Sequence, residues 1–229
     1  MYKRQVSTIS AIKVPDDTPL EAACLLGCGV ATGWGSAVNT GGVRPGNTVI
    51  VVGLGGIGVS AVQGASHAGA TNIIAVDPVE MKREFAQTMG ATHVASSVDE
   101  AADLARSFTN GQGANVTIVT VGVLTGEVIA EGFAATSKGG NVVVTALGNA
   151  ANVGIPIPTL ELTLFEKSLK GSMFGSSNPK TDVLKLLRMY QAGQLMVDEM
   201  ITNRYTLDQV AQGYEDMHSG KNIRGVVVF

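Results

Sequence analysis

Thr48-Val-Ile-Val-Val-Gly53-Leu-Gly-Gly-Ile-Gly58 decides how this chain is read. Its first half is apolar without alternation, the pattern of a parallel strand buried on both faces. Its second half places glycines at 53, 55 and 58, and a helical pattern follows. Gly53 allows the tight turn, Gly55 lets backbone approach a pyrophosphate, and Gly58 lets the helix pack closely on the strand. The helix N-terminus adds unpaired N–H groups and a partial positive charge. The loop Gly53, Leu54, Gly55, Gly56, Ile57 and Gly58 is therefore expected to hold a dinucleotide.

A second run, Asn72–Val76, ends at Asp77, at the distance that a dinucleotide fingerprint requires. A carboxylate there accepts the ribose hydroxyls of the adenosine and repels a 2′-phosphate, so NAD is expected rather than NADP. Locally, Asp77 also reads as a helix cap before Pro78. Lys82, one turn into the next helix, reads either as a contact to the adenosine ribose or as a solvated lysine.

Outward from this centre the pattern repeats. Strands are expected at Thr48–Gly53, Asn72–Val76, His93–Ala95, Asn115–Val121, Asn141–Leu147 and Ser168–Phe174. Helices are expected at Ile57–His67, Val79–Met89, Asp99–Phe108 and Glu127–Ala135. Such alternation predicts an α/β fold, a doubly wound, parallel six-stranded sheet covered on both faces. Upstream, Thr18-Pro19-Leu20-Glu21 predicts a capped helix start. That helix should run to the Gly-rich stretch at Gly27 and Gly29, with a second piece over Ser36–Asn39. Downstream, helices are expected at Lys180–Gln191 and Leu207–Met217, and a last strand at Gly225–Phe229.

The chain has 229 residues, 45% of them hydrophobic and 15% charged, with a formal net charge of −3. It carries no basic footprint for nucleic acid and no apolar run of membrane-spanning length. Two cysteines make no disulfide framework, and the cytoplasm is the expected location.

The stretches Leu26-Gly-Cys28-Gly-Val-Ala-Thr32-Gly-Trp-Gly-Ser-Ala, Gly53–Gly58, Val76-Asp77 and Ile223-Arg224-Gly-Val-Val together resemble the zinc-containing alcohol dehydrogenases of the medium-chain dehydrogenase/reductase superfamily. Gly64-Ala-Ser-His-Ala-Gly-Ala, Ala75-Val-Asp-Pro-Val-Glu and Gly171-Ser-Met-Phe-Gly narrow it to the nicotinoprotein type, which is assayed with N,N-dimethyl-4-nitrosoaniline. The resemblance implies a Rossmann sheet, NAD and zinc as cofactors, and oxidation of a primary alcohol to an aldehyde. It matches Cys28 to a ligand of the catalytic zinc and Thr32 to a catalytic position near the nicotinamide. Thr145, Ala146 and Leu147 match the strand end that meets the carboxamide. Phe174 matches a contact on the nicotinamide side, and Arg224 a pyrophosphate contact. Arg224 also reads as a surface arginine beside Lys221. Cys24 matches a core residue. The segments at Val153–Ile157 and Ser168–Phe174 match a subunit interface, which implies a homo-oligomer through the edge strands of the sheet; they also read as covered edges.

Catalytic zinc takes three protein ligands and an open position. His67, His93 and His218 have no ligand spacing to Cys28, so Cys28 is the one ligand retained and a partly exposed thiol is expected. The resemblance implies the organisation of a truncated chain. Residues 1–28 hold a foreign start (Met1–Gln5, like a translated sequencing adapter), a remnant of a catalytic domain and a linking helix. Residues 29–174 form the NAD-binding Rossmann domain. Residues 175–229 are a segment that returns to a missing GroES-like catalytic domain, and without it Leu184, Leu187 and the final strand should be exposed. Other readings are a zinc-dependent polyol or S-(hydroxymethyl)glutathione dehydrogenase, a non-catalytic NAD-binding protein, and a zinc-free quinone reductase. The Cys28 context argues against the last.

Overall fold

The computed structural model describes residues 5–229, so most of the Met1–Gln5 expectation lies outside the described residues. The helical start is longer than the glycines predict. It comprises α1 (Leu20–Leu25), a wide turn at Leu26–Val30, α2 (Ala31–Gly35) and a second wide turn at Ser36–Thr40. Glycine disfavours an isolated helix, but tertiary packing reverses the balance. A Cβ on Gly33 would sit 2.0 Å from the Ile57 carbonyl oxygen, so the helix lies backbone to backbone against the one after the glycine loop.

The predicted capping box does not form. Pro19 is the N-cap, and the buried Thr18 Oγ1 has no partner among the described residues. Glu21 instead receives Arg204 Nη2 at 2.7 Å, and the guanidinium holds its carboxyl below the usual range.

Six strands then form one parallel sheet: β1 (Thr48–Val52), β2 (Asn72–Val76), β3 (His93–Ala95), β4 (Ala114–Val119), β5 (Thr136–Val144) and β6 (Ser168–Gly171), in the order β3-β2-β1-β4-β5-β6. Every residue of β1 is buried, as its unbroken apolar run requires. Between them run α3 (Gly56–His67), α4 (Glu80–Thr88), α5 (Val98–Phe108), α6 (Gly126–Ala135) and the short α7 (Thr159–Leu164). The order reverses between β1 and β4. Such a switch point is where doubly wound sheets bind ligands, beyond the C-terminal strand ends. The segment 152–158 is irregular rather than a strand. Pro156 and Pro158 supply no N–H to a ladder.

The tail corrects two expectations. α8 (Pro179–Gln191) buries Leu187, and Leu184 is half-buried. The final strand, β8 (Arg224–Val227), pairs in parallel with β7 (Ile201–Tyr205), which the sequence reading did not anticipate. α9 (Val210–His218) lies between them in sequence. Leu186, Leu195, Val197 and Met200 share one core with Leu26, Trp34 and Val62. The buried Gln63 fastens that contact: its Nε2 donates to the Met196 carbonyl at 2.8 Å and its Oε1 accepts the Met196 amide at 2.9 Å. Burial of aliphatic side chains on α3 is the physical reason the tail packs on the Rossmann sheet domain. Among the described residues, no helix is long and apolar enough to cross a membrane.

Candidate functional site

Gly53 adopts φ +91°, a left-handed conformation that a Cβ would strain. A Cβ on Gly58 would lie 1.8 Å from the Gly53 carbonyl oxygen, so α3 begins in direct contact with the loop. Thr120 Oγ1 donates to that same carbonyl at 2.7 Å, a fastening the sequence reading missed because it joins the end of β4 to the loop. Leu54 is fully buried, while Gly55 faces open space where its Cβ would be.

Asp77 is 7% exposed at the end of β2. Its Oδ2 accepts the Leu54 amide and its Oδ1 the Val79 amide, each at 2.9 Å. The local cap reading is corrected: Val79 is the N-cap of α4, and Asp77 Oδ1 closes a turn just ahead of the helix instead of capping it. Each carboxylate oxygen keeps further acceptor capacity. Arg83 Nη1 donates to the Asp77 carbonyl at 2.7 Å, a neighbour not singled out in the sequence. The Lys82 side chain lies against the Gly220 turn: a Cβ there would be 3.6 Å from Nζ.

Arg224 opens β8, far along the chain, yet it lies over the loop. A Cβ on Gly56 would meet its Nε at 1.8 Å, and one on Gly29 its Nη2 at 2.5 Å. The Nε is buried without a hydrogen-bond partner among the described residues. Burial pulls the Arg224 pKa down from its ordinary value, with the thiols of Cys28 and Cys24 opposing it. Cys28 is exposed, as expected; Cys24 is exposed too, which corrects the core reading. The two stand four positions apart and so share one helical face. Partial burial of its sulfur, followed by the Glu21 carboxylate, pushes the Cys24 thiol up.

Thr32 lies on α2, buried. Phe174, Gly175 and Ser176 have φ of 54°, 65° and 49°, a left-handed turn that costs energy at its two non-glycine residues. The turn is pressed into α2, since a Cβ on Gly175 would lie 2.6 Å from the Thr32 carbonyl oxygen. Asn39 Nδ2 donates to the Gly175 carbonyl at 3.1 Å, and Thr40 Oγ1 donates to Ser176 Oγ at 2.8 Å. Backbone strain of this kind gathers at functional sites. Ser36 Oγ donates to the Thr32 carbonyl at 2.7 Å and stands 2.7 Å from Thr145 Oγ1 and 3.2 Å from Ser172 Oγ. These hydroxyls tie α2 to the end of β5 and to the turn. Ala146 is half-buried and Leu147 is 85% exposed, next along the chain from Thr145.

The orphaned Arg224 Nε above a glycine cradle fits a pyrophosphate, and Asp77 at the next strand end fits a ribose. The family model described as "Zinc-binding dehydrogenase" matches residues 56–190. The chain belongs to the zinc-binding dehydrogenase family. Among its relatives is the NDMA-dependent alcohol dehydrogenase of Amycolatopsis methanolica, 51% identical over 97% of this chain and 60% of that protein. Similar solved structures are benzyl alcohol dehydrogenase from Acinetobacter calcoaceticus and an alcohol dehydrogenase zinc-binding domain protein from Burkholderia ambifaria. The first is 30% identical with a TM-score of 0.86, covering 94% of this chain and 59% of its own. The second is 32% identical with a TM-score of 0.87, covering 94% and 57%. The chain thus spans about three fifths of the length of the curated relative.

Zinc does not fit these residues in the way the dinucleotide does. Among the described residues no group of three or more His, Cys, Asp or Glu side chains could hold a metal ion. His67 is occupied by packing: Trp34 Nε1 donates to its Nδ1 at 3.0 Å, which leaves Nε2 to donate to the Gln194 carbonyl at 2.8 Å. His93 tilts against Phe108 with ring centroids 4.6 Å apart, and His218 ends α9.

Proposed function

We propose that this chain is the cofactor-binding portion of an NAD-dependent alcohol dehydrogenase that oxidises primary alcohols to aldehydes. The observation that carries the reading is Arg224 Nε, buried and unpartnered over Gly56. NAD, when bound, supplies the hydride acceptor. The amides of the loop Gly53–Gly58 and the Arg224 guanidinium hold its pyrophosphate. Asp77 orients the adenosine ribose and disfavours a 2′-phosphate, with Lys82 flanking the same end. Thr145, Ala146 and Leu147 meet the carboxamide, while Thr32 and Phe174 border the nicotinamide. The relatives named for NDMA-dependent and benzyl alcohol dehydrogenation support a primary alcohol as substrate. Cys28 is the one side chain of this chain proposed to meet zinc.

The outer edge of β6, with Met173 two residues beyond it at 83% exposure, supports a homo-oligomer through that edge. The cytoplasm is the proposed location. Neither nucleic acid nor membrane is a proposed partner.

Titration with NADH, followed by nicotinamide fluorescence, tests the reading. Saturable binding that weakens in Asp77→Ala is expected, with NADPH the poorer ligand. Absence of saturable NADH binding by the folded chain would overturn it.

A further inference from the structure

A second cleft lies at the opposite end of the sheet from the glycine loop. Its volume is about 420 Å³, and it opens between the end of the wide turn Ser36–Thr40 and the starts of β4 and β5. Arg44, Lys138 and Lys170 line it, and no Asp or Glu does. All three cations are exposed, and none forms a salt bridge among the described residues. Three unopposed cations stand out in a chain whose net charge is −3.

A helix C-terminus could draw cations for its own sake. Here three of its carbonyls already have donors: the Gly41 amide on Ser36 at 2.9 Å, the Val43 amide on Ala37 at 3.1 Å, and Asn141 Nδ2 on Gly41 at 3.1 Å. Two of the lining asparagines are oriented to donate, whereas Asn39 and Asn141 give their Nδ2 groups to the Gly175 and Gly41 carbonyls. Asn47 Oδ1 accepts the Arg44 amide at 2.9 Å, and Asn115 Oδ1 accepts the Thr48 amide at 2.8 Å. Each carboxamide oxygen is thereby turned to the backbone, and the NH2 group on the same side chain is a donor. Lys138 Nζ is steadied 4.8 Å from the centre of the Phe165 ring. The cleft thus gathers cations and amide donors with no competing carboxylate.

We propose that this cleft binds a small phosphate dianion, either inorganic phosphate or a phosphomonoester. Arg44 offers the planar fork suited to phosphate, and the two lysines act as point charges. This proposal does not rest on the dinucleotide reading and stands at a separate place on the sheet.

The test is a heteronuclear NMR titration of the whole chain with inorganic phosphate, against sodium chloride at equal ionic strength. Saturable shifts at the Gly139, Gly140 and Asn141 amides, absent with chloride, are expected. Loss of one charge-assisted contact in Lys138→Gln or Lys170→Gln should weaken binding about tenfold, and Lys170→Arg should restore it. Phosphate at the glycine loop would instead move Gly55 and Gly56 and depend on Arg224, so Arg224→Gln should leave the Gly139–Asn141 shifts intact. Tighter binding of glycerol phosphate would assign the site to a monoester; equal binding would assign it to the free ion. No saturable shift there, equal shifts with chloride, or shifts that both lysine variants leave unchanged would overturn the proposal. The three side chains are exposed, so unchanged spectra elsewhere verify that the variants fold.

Discussion

Asp77 closes the glycine loop onto the second strand, its Oδ2 accepting the buried Leu54 amide at 2.9 Å. One carboxylate therefore shapes the loop from within and presents its remaining lone pairs outward. Structure and recognition are joined at one side chain. Asp77→Ala leaves the Leu54 and Val79 amides without that acceptor. The expected loss is about 1–3 kcal/mol of stability together with weaker NADH binding. Asp77→Asn, which keeps one acceptor oxygen, should recover part of the stability. Urea unfolding midpoints and NADH titrations on the same samples check both effects.

Arg224 should show the opposite pairing of signs. A guanidinium whose buried Nε has no partner among the described residues lowers the stability of the free chain. Arg224→Met retains much of the apolar stem and removes the charge. The variant should melt at a higher temperature than the natural chain and bind NADH at least about tenfold more weakly, a charge-assisted hydrogen bond being worth about 1.5–3 kcal/mol. A variant that melts lower and binds NADH normally would show a purely structural arginine.

The Ser36 hydroxyl, fully buried, serves three neighbours at once. Ser36→Ala should cost about 1–3 kcal/mol, because the Thr145 hydroxyl loses its partner in a dry setting. Thr145→Val added to Ser36→Ala should cost less than the sum of the single changes. A double-mutant cycle by urea unfolding measures that coupling, and simple additivity would contradict the hydrogen bond.

Acid should loosen the tail through Asp216. Hydrogen bonds from Tyr205, Gln212 and Lys221 hold its carboxyl below the ordinary value, the Tyr205 bond contributing most. A carboxyl depressed in the folded chain stabilises it above the unfolded pKa of about 3.9, and that contribution is lost as pH falls further through the folded value. Urea midpoints should therefore decline more steeply below about pH 4 in the natural chain than in Asp216→Asn. Parallel curves for the two would exclude a role for this carboxyl.

How much of this was legible beforehand differs by element. The strand–glycine–helix unit and the acid after β2 carry local signals: an unbroken apolar run, three spaced glycines and a carboxylate. Each sits within a few residues of the group it serves, so spacing suffices to find it. The cap that Thr18 and Glu21 predict does not form because Glu21 has a stronger partner in Arg204, across the fold on β7. Cys24 was misread because one apolar-looking turn does not say which face the helix buries. β7 itself was missed: Ile201-Thr-Asn-Arg-Tyr205 has no strong strand pattern, and it forms because β8 supplies its ladder.

The sequence by itself determined the order of strands and helices, the glycine turn and the position of Asp77, because near-neighbour sterics and hydrophobic periodicity act over short spans of chain. Only the tertiary structure decided that Arg224 lies over Gly56, that Ser36 meets Thr145, and that Arg44, Lys138 and Lys170 face one cleft. Those groups are distant in the chain and share no local pattern. Their meeting follows from packing, through the backbone contact of α2 with α3 at Gly33 and the burial of Leu186, Leu187 and Met200 that draws the tail back across the sheet domain.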